Sequence, residues 1–331
     1  MMFLKIIKNK LISLLIIGMI IPTHVLAYSE HIIAGGENIG IELNSDGIII
    51  VGTYKINDID PAQTAKLSSG DKIIAINDVS VTSIDEMLKE INKNNMDNIK
   101  ITYMRMSKTF TTNVSLVKDK NDVYKTGLYV KDSITGVGTL TFIDPETKLY
   151  GALGHEIIEK NTGKKLEIKD GKIYEASVTS ITPSDNGNPG EKNARYDNSK
   201  VYGNVNENTK SGIFGNYTSP LPNKKMYKVV NPKDINLGNA KILTVLDDNI
   251  VKEYDINILK LNDETQQIKN ILFEITDKEL LEKTGGVIQG MSGSPIIQDD
   301  NIIGAVTHVV VDDCTKGYGI YITNMLEEAE N

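Results

Sequence analysis

The sequence predicts a mainly β protein in which a small α+β unit is followed by a larger β-barrel or sandwich. Through most of the chain, short β-branched apolar runs alternate with Gly, Asn and Asp turn signals, as in antiparallel sheets. Helical spacing is confined to a few short segments, such as residues 84–91. The length of 331 residues allows about two domains.

The chain is acidic, with a formal net charge of −8. Loss of the N-terminal segment, which carries Lys5, Lys8 and Lys10, would make it three units more negative. Nucleic acid binding depends on clustered Lys and Arg that neutralise phosphates. The sequence has no basic stripe, so nucleic acid is not expected as a partner.

Residues 1–27 are predicted to direct export. Three lysines precede an apolar run over residues 11–21, which is shorter than the roughly 20 residues that a membrane span needs. Val25-Leu26-Ala27 places small residues where a signal peptidase cleaves. The segment is therefore a signal peptide or, alternatively, an uncleaved N-terminal membrane anchor, and the rest of the chain is expected to be exported.

The α+β unit is predicted over residues 36–118. Its pattern gives strands near 39–43, 48–51, 72–76, 99–104 and 110–116, with helices beginning at Pro61 and Ile84. The segment "PAQTAKLSSGDKIIAINDVSV" resembles the corresponding part of a PDZ domain. That resemblance implies a groove for an extended peptide between the first strand and the second helix.

Within this resemblance, the predicted carboxylate-binding residues are Ile39, Gly40, Ile41, Glu42 and Leu43. The expected ligand is a peptide or a segment of the protein's own chain. An alternative is a PDZ domain that serves only as an assembly or regulatory scaffold.

Residues 119–126 are predicted to be a linker, and residues 127–331 to form the β-rich unit. The polar, Asn- and Gly-rich stretch 184–219 is expected to form long loops. Cys314 is the only cysteine, which excludes an internal disulfide. No metal-binding motif is present, and no cofactor is expected.

The stretch "GMSGSP", residues 290–295, is a candidate nucleophile loop. Glycines permit positive φ and close approach of a substrate. The amides of Gly290 and Ser292 are therefore predicted to converge as an oxyanion hole beside the Ser292 hydroxyl. Ser294, which leads into a strand, is the alternative nucleophile. The pattern is similar to the nucleophile loop of chymotrypsin-like serine peptidases.

His155 is the predicted general base, since it follows an apparent strand and precedes Ser292, in the chymotrypsin-like order. His308, which lies after Ser292 on an apparent strand, is the rival base. Its expected alternative role is packing or lining of the substrate cleft.

Four segments together resemble the sporulation factor IV B (SpoIVB) serine peptidase family: "GALGHEI", "NTKSGIFG", "ITDKELLEKTGGVIQGMSGSPIIQDDNIIGAVTHV" and "GYGIYI". The resemblance implies an export segment, an N-terminal PDZ domain and a chymotrypsin-like double β-barrel peptidase domain. It also implies a forespore-secreted enzyme that processes itself. Such an enzyme cleaves a membrane-bound regulatory protein between the forespore and mother-cell membranes, which activates a late sigma factor.

The resemblance assigns the catalytic triad to His155, Asp277 and Ser292. Asp277 is also in position to cap a helix at residues 278–283. Three other acids remain possible replacements: Asp170, Asp185 and Asp234. Two other functions stay open, a catalytically inactive signalling adaptor and a general extracytoplasmic quality-control protease.

Overall fold

A computed structural model describes residues 28–93, 97–247, 249–262 and 268–330. The predicted export segment, residues 1–27, lies outside these described residues. Within them, none of the helices is both long and apolar enough to span a membrane.

The N-terminal part of the described chain contains two strands and then the PDZ unit. The strands are β1 (His31–Ala34) and β2 (Asn38–Thr53). The PDZ unit contributes α1 (Pro61–Thr64), β3 (Lys72–Ile76), β4 (Val79–Ser80), α2 (Ile84–Asn92), β5 (Asn98–Arg105) and β6 (Lys108–Ser115). A short ribbon pairs β7 (Val117–Lys118), at the end of the predicted PDZ range, with β8 (Tyr124–Lys125), inside the predicted linker. Both helices begin where the sequence predicts, with Asp60 and Ser83 as their N-caps.

The next segment builds a first barrel. Its elements are β9 (Leu128–Ile143), β10 (Leu149–Ala152), β11 (Ile158–Glu159), β12 (Lys164–Lys165), β13 (Ile168–Thr182), β14 (Glu191–Val205), β15 (Glu207–Thr209) and β16 (Gly212–Asn216). Hydrogen-bonded ladders connect β14, β13, β2, β9, β10 and β16 in that order. A bridge between Gly203 and Tyr217 joins the two ends.

The last segment builds a second barrel. Its elements are β17 (Met226–Val229), β18 (Gly238–Thr244), β19 (Lys252–Leu261), β20 (Ile271–Ile275), α3 (Lys278–Thr284), β21 (Pro295–Gln298), β22 (Asn301–Val309), β23 (Lys316–Tyr321) and α4 (Ile322–Ala329). A closed antiparallel ring runs through β18, β19, β20, β23, β22, β21 and back to β18. The predicted PDZ domain and double-barrel peptidase domain are both confirmed.

Strand β2 belongs to both units, which corrects the predicted peptide-binding residues. In the segment Ile39, Gly40, Ile41, Glu42 and Leu43, one edge of β2 pairs with β9 and the other with β13. An incoming peptide needs a free strand edge, and this segment has none. These residues therefore form part of the first barrel.

The second half of β2 lies in the PDZ unit, and its edges are also occupied. Ile48 pairs with Ile73 of β3, while Ile50 pairs with Val130 of β9. Strand β9 also contacts α2, because the Asp132 carboxylate accepts a 2.8 Å hydrogen bond from the amide of Ile84. The chain's own β9 thus lies beside α2, in the position where a PDZ ligand would add to the sheet.

The prediction of long loops over 184–219 is wrong. Strands β13 and β14 form a long hairpin around a tight turn at Asp185 and Asn188. Most side chains of the middle of β14 are solvent-exposed, so they lack the apolar alternation by which a strand is recognised.

Candidate active site

The nucleophile loop, residues 290–295, lies between α3 and β21 and contacts the first barrel. Gly293 has φ +93°, and a Cβ atom there would lie 2.2 Å from the Thr139 carbonyl oxygen and 2.5 Å from the Leu153 amide nitrogen. Only glycine fits so close to another backbone. The loop is therefore packed directly on the strands β9 and β10.

Two threonines of β9 hold the loop in this position. The Thr139 hydroxyl donates to the carbonyl of Gly290 at 2.7 Å, and its amide donates to the carbonyl of Ser292 at 3.1 Å. The Thr141 hydroxyl donates to the carbonyl of Gly293 at 2.8 Å. The carbonyls of the loop are thus fixed by the first barrel.

The two amides predicted as oxyanion donors have no competing acceptor. Neither the N–H of Gly290 nor that of Ser292 donates a hydrogen bond to any residue that the structure describes. Gly290 has φ +94°, a conformation that glycine adopts without strain. Both amides are available to a developing oxyanion.

The two serines of the loop differ in exposure and in contacts. Ser292 is half-buried, and its Oγ donates to the carbonyl of Thr307 at 2.9 Å. Ser294 is fully buried, and its Oγ donates to the hydroxyl of Thr244 at 3.1 Å. Only Ser292 is therefore accessible to a substrate.

His155 follows β10 after a sharp reversal at Leu153 and Gly154, which both have positive φ. Its Nδ1 lies 2.9 Å from the carbonyl oxygen of Glu156. Because a carbonyl can only accept, this bond places the proton on Nδ1 and leaves the lone pair on Nε2. Nε2 is then available as a general base.

The ring of His308 lies close to that of His155, with centroids 5.1 Å apart. Burial lowers the pKa of His155, and burial together with His155 lowers the pKa of His308 to about 4. Both imidazoles are therefore neutral at pH 7. They line one cavity of about 340 Å³ with Glu156, Ile158, Lys210 and Ile268.

Ser292 and His155 lie in the same region but are not hydrogen-bonded to each other. The Ser292 hydroxyl is bound to Thr307, and a Cβ atom at Gly154 would lie 3.0 Å from the Thr307 methyl group. Thr307, which accepts the hydrogen bond from Ser292, therefore packs against Gly154, the residue before His155. Catalytic hydrogen bonds are often incomplete before substrate binds.

Asp277 has another use in this structure. Its Oδ1 accepts a 2.9 Å bond from the amide of Leu280, as the N-cap of α3, and its Oδ2 accepts a 3.4 Å bond from the amide of Asp255. Among the described residues, the hydrogen-bond partner of His155 is the carbonyl of Glu156. The predicted capping role of Asp277 is thus confirmed, and the structure does not bring its carboxylate to His155.

The replacement acids are engaged elsewhere as well. The carboxylate of Asp170 accepts from the Asn44 side chain, and that of Asp185 accepts from the next amide in its turn. Asp234 belongs to a 3₁₀ turn that is capped by Asn231. None of the three is bonded to His155 within the described part of the chain.

Sequence reasoning missed Thr139 and Thr141. Their spacing by two residues on a strand puts both on one face, but nothing in the sequence indicates that this face contacts residues 290–293.

The described residues contain no group of three or more metal-ligating side chains.

Comparisons with known proteins support a peptidase with a PDZ domain. Residues 122–326, more than half of the chain, match the family model of the SpoIVB peptidase S55, and residues 38–116 match a PDZ domain. A curated relative, the serine protease Do-like HtrA of Lactococcus lactis, is 39% identical over 64 residues. That match covers 19% of this chain and 16% of the relative, so the chain spans about a sixth of the relative's length.

Two solved structures are similar to parts of the chain. The active form of the Rv3671c protease from M. tuberculosis aligns over 60% of this chain and 74% of its own, with 13% identity and a TM-score of 0.34. The PDZ domain of the SdrC-like protein from Listeria monocytogenes aligns over 26% of this chain and 90% of its own, with 26% identity and a TM-score of 0.23.

Proposed function

Because the chain belongs to the SpoIVB peptidase S55 family and is a serine endopeptidase with a PDZ domain, we propose that it acts in sporulation signalling. It is exported from the forespore, processes itself, and cleaves a membrane-bound regulatory protein between the forespore and mother-cell membranes. That cleavage activates a late sigma factor. The family match over residues 122–326 is the observation that carries this proposal.

The proposed chemistry is acyl transfer through Ser292. As Ser292 Oγ attacks a peptide carbonyl, Nε2 of His155 takes its proton and later returns it to the leaving amine. The amides of Gly290 and Ser292 stabilise the tetrahedral oxyanion, and water then hydrolyses the acyl-enzyme. The Glu156 carbonyl supports this assignment, because it holds the tautomer of His155 that can accept a proton.

Because Met291 is uncharged, it cannot form the salt bridge that activates trypsin-like zymogens. In trypsin-like zymogens an Asp at this place pairs with a newly freed N-terminus. Met291 is fully buried in the core of the second barrel, together with Ile288 and Ile296. We therefore expect self-processing to control release or targeting of the enzyme rather than this salt bridge.

The PDZ unit is proposed to couple target recognition to the peptidase. Strand β9 lies beside α2 at one end, and at the other end its Thr139 and Thr141 hold the nucleophile loop. A peptide that competes with β9 for the PDZ groove would disturb the strand that orders the active site.

Replacement of the gene by a Ser292→Ala version in an endospore-forming host tests this function. We expect the protein to accumulate at its unprocessed mass and a late sigma-factor reporter to stay silent, while the exposed Ser199→Ala control behaves as wild type. A normal reporter in the Ser292→Ala strain would overturn the proposal. Cleavage of unfolded casein at many unrelated bonds would instead favour a quality-control protease.

A further inference from the structure

Lys192, on β14, is a buried amine that forms no ion pair with a carboxylate of the described residues. It is 5% exposed, and its Nζ donates to the hydroxyl of Thr244 at 2.7 Å and to the side-chain oxygen of Asn38 at 3.2 Å. Burial alone lowers its pKa to about 7, with no carboxylate of the described residues contributing. A buried unpaired ammonium is unfavourable for stability, so this lysine needs a different explanation.

The stem of Lys192 lies directly under the start of the nucleophile loop. A Cβ atom at Gly290 would meet Cβ of Lys192 at 3.0 Å and its Cγ and Cδ at 3.3 Å. The backbone amide of Lys192 donates to the carbonyl of Gln289 at 2.9 Å. The backbone of Gly290, whose amide is a proposed oxyanion donor, therefore packs on the Lys192 side chain.

The amine of Lys192 is linked to the other end of the loop through Thr244. Thr244, which accepts its shorter hydrogen bond, also accepts the hydrogen bond from Ser294 Oγ. A chain of polar contacts thus runs from the amine through Thr244 of β18 to the residue two positions after Ser292. The Lys192 side chain thus packs against Gly290 directly and is connected to Ser294 through the hydroxyl of Thr244.

The second partner of the amine ties it to the first barrel. Asn38 is paired in register with Thr139, the residue that binds the carbonyls of Gly290 and Ser292. The Nδ2 of Asn38 is buried and has no partner among the described residues, so Lys192 is the polar side chain that fixes Asn38.

We infer that Lys192 is a positioning residue of the peptidase, which aligns the Gly290 and Ser292 amides for the oxyanion by joining β2, β18 and the nucleophile loop. The inference rests on the proposed assignment of Ser292 and these two amides. A residue used only for stability would be better served here by an apolar side chain of similar length. The hydrogen-bonding amine is what an apolar side chain cannot supply.

Lys192→Met tests the inference, because it keeps the stem under Gly290 and removes the amine. Thr244→Val is the second variant, since it keeps shape and removes only the hydroxyl that connects the amine to Ser294. Lys200→Met, on the same strand but exposed and paired with Glu175, is the matched control. Kinetics on a peptide substrate are normalised to active sites counted by fluorophosphonate burst titration.

Loss of one whole oxyanion donor typically lowers kcat by about 10²–10³. For misaligned donors we expect kcat per active site to fall roughly tenfold in Lys192→Met, less in Thr244→Val, with KM within about twofold. Lys200→Met should match wild type. Unchanged kcat per active site in Thr244→Val and in any folded Lys192→Met would overturn the inference.

Failure of the underlying assignment would be separate and visible. If Ser292→Ala still reacted with the fluorophosphonate, the nucleophile would lie elsewhere, whatever the Lys192 variants did. Should Lys192→Met not fold, Thr244→Val alone decides, because a lower kcat at constant KM supports the positioning role and a wild-type kcat refutes it.

Discussion

At the scale of single residues, the two serines of the loop are separated by their surroundings. Ser292 is half-buried and donates to the carbonyl of Thr307, whereas Ser294 is fully buried against Thr244. The sequence predicts the preference for Ser292 from its glycines, and the burial of Ser294 supplies the physical reason. The proposed nucleophile and the buried serine that anchors the loop to Thr244 are thus two residues apart.

The pH dependence of activity tests His155. A general base works only when deprotonated, so activity should be lost as the pH falls through the pKa of His155, which burial places below 6.5. The Glu156 carboxylate raises that pKa, in opposition to burial. Glu156→Gln should therefore move the acid limb of the kcat/KM profile to lower pH, while the exposed Glu282→Gln control leaves it in place. A limb that moves to higher pH would contradict this electrostatic account.

At the scale of elements, Asp277 serves helix α3. Asparagine caps helices about as well as aspartate, so Asp277→Asn should leave the melting temperature nearly unchanged and kcat within about threefold. Asp277→Ala should cost about 1 kcal/mol of stability. The measurements are thermal melting and peptide kinetics.

A triad acid would behave differently. Replacing such an Asp by Asn leaves the geometry intact and lowers kcat by about 10⁴. A loss of that size in a stably folded Asp277→Asn protein would show that Asp277 reaches His155 during turnover, against the contacts seen here.

The sequence predicts an element when the pattern that specifies it is local. Helix α2 and the cap at Asp277 follow from local patterns, and so does the loop at residues 290–295. Strand β14 does not, because its exposed middle carries no apolar alternation. Lys192 and Thr139 carry no local signal, since their roles come from contacts across the two barrels.

At the scale of the whole molecule, the PDZ unit is inserted into the peptidase rather than placed before it. The same two strands, β2 and β9, run through both units. The match to a PDZ domain begins at residue 38, but pairing with β13 puts residues 39–43 into the barrel. Local sequence patterns do not show that β2 and β9 extend through both units, because that depends on strand pairing between distant segments.

This arrangement predicts the result of two deletions. Removal of residues 36–118 takes away a central strand of the first barrel and should abolish folding. A shorter deletion is possible because Tyr54 and Gly127 lie just beyond the paired ends of β2 and β9, where the Tyr54 amide donates to the Gly127 carbonyl at 2.8 Å. Replacing residues 55–126 by Asn-Gly, which favours a tight hairpin turn, should give a folded barrel that still reacts at Ser292.

Circular dichroism and fluorophosphonate labelling measure these outcomes. Cooperative unfolding and labelling of the 36–118 deletion would contradict the shared-strand arrangement. A folded hairpin variant without labelling would instead make the PDZ unit part of the active site.

We propose that Ser292 is the nucleophile of a serine endopeptidase whose nucleophile loop is held by strands of both barrels. The most direct test is reaction of the folded protein with a fluorophosphonate, followed by mass spectrometry of the labelled peptide. We expect a single adduct on Ser292 and none on the folded Ser292→Ala variant. An adduct on Ser294, or undiminished labelling of Ser292→Ala, would contradict it.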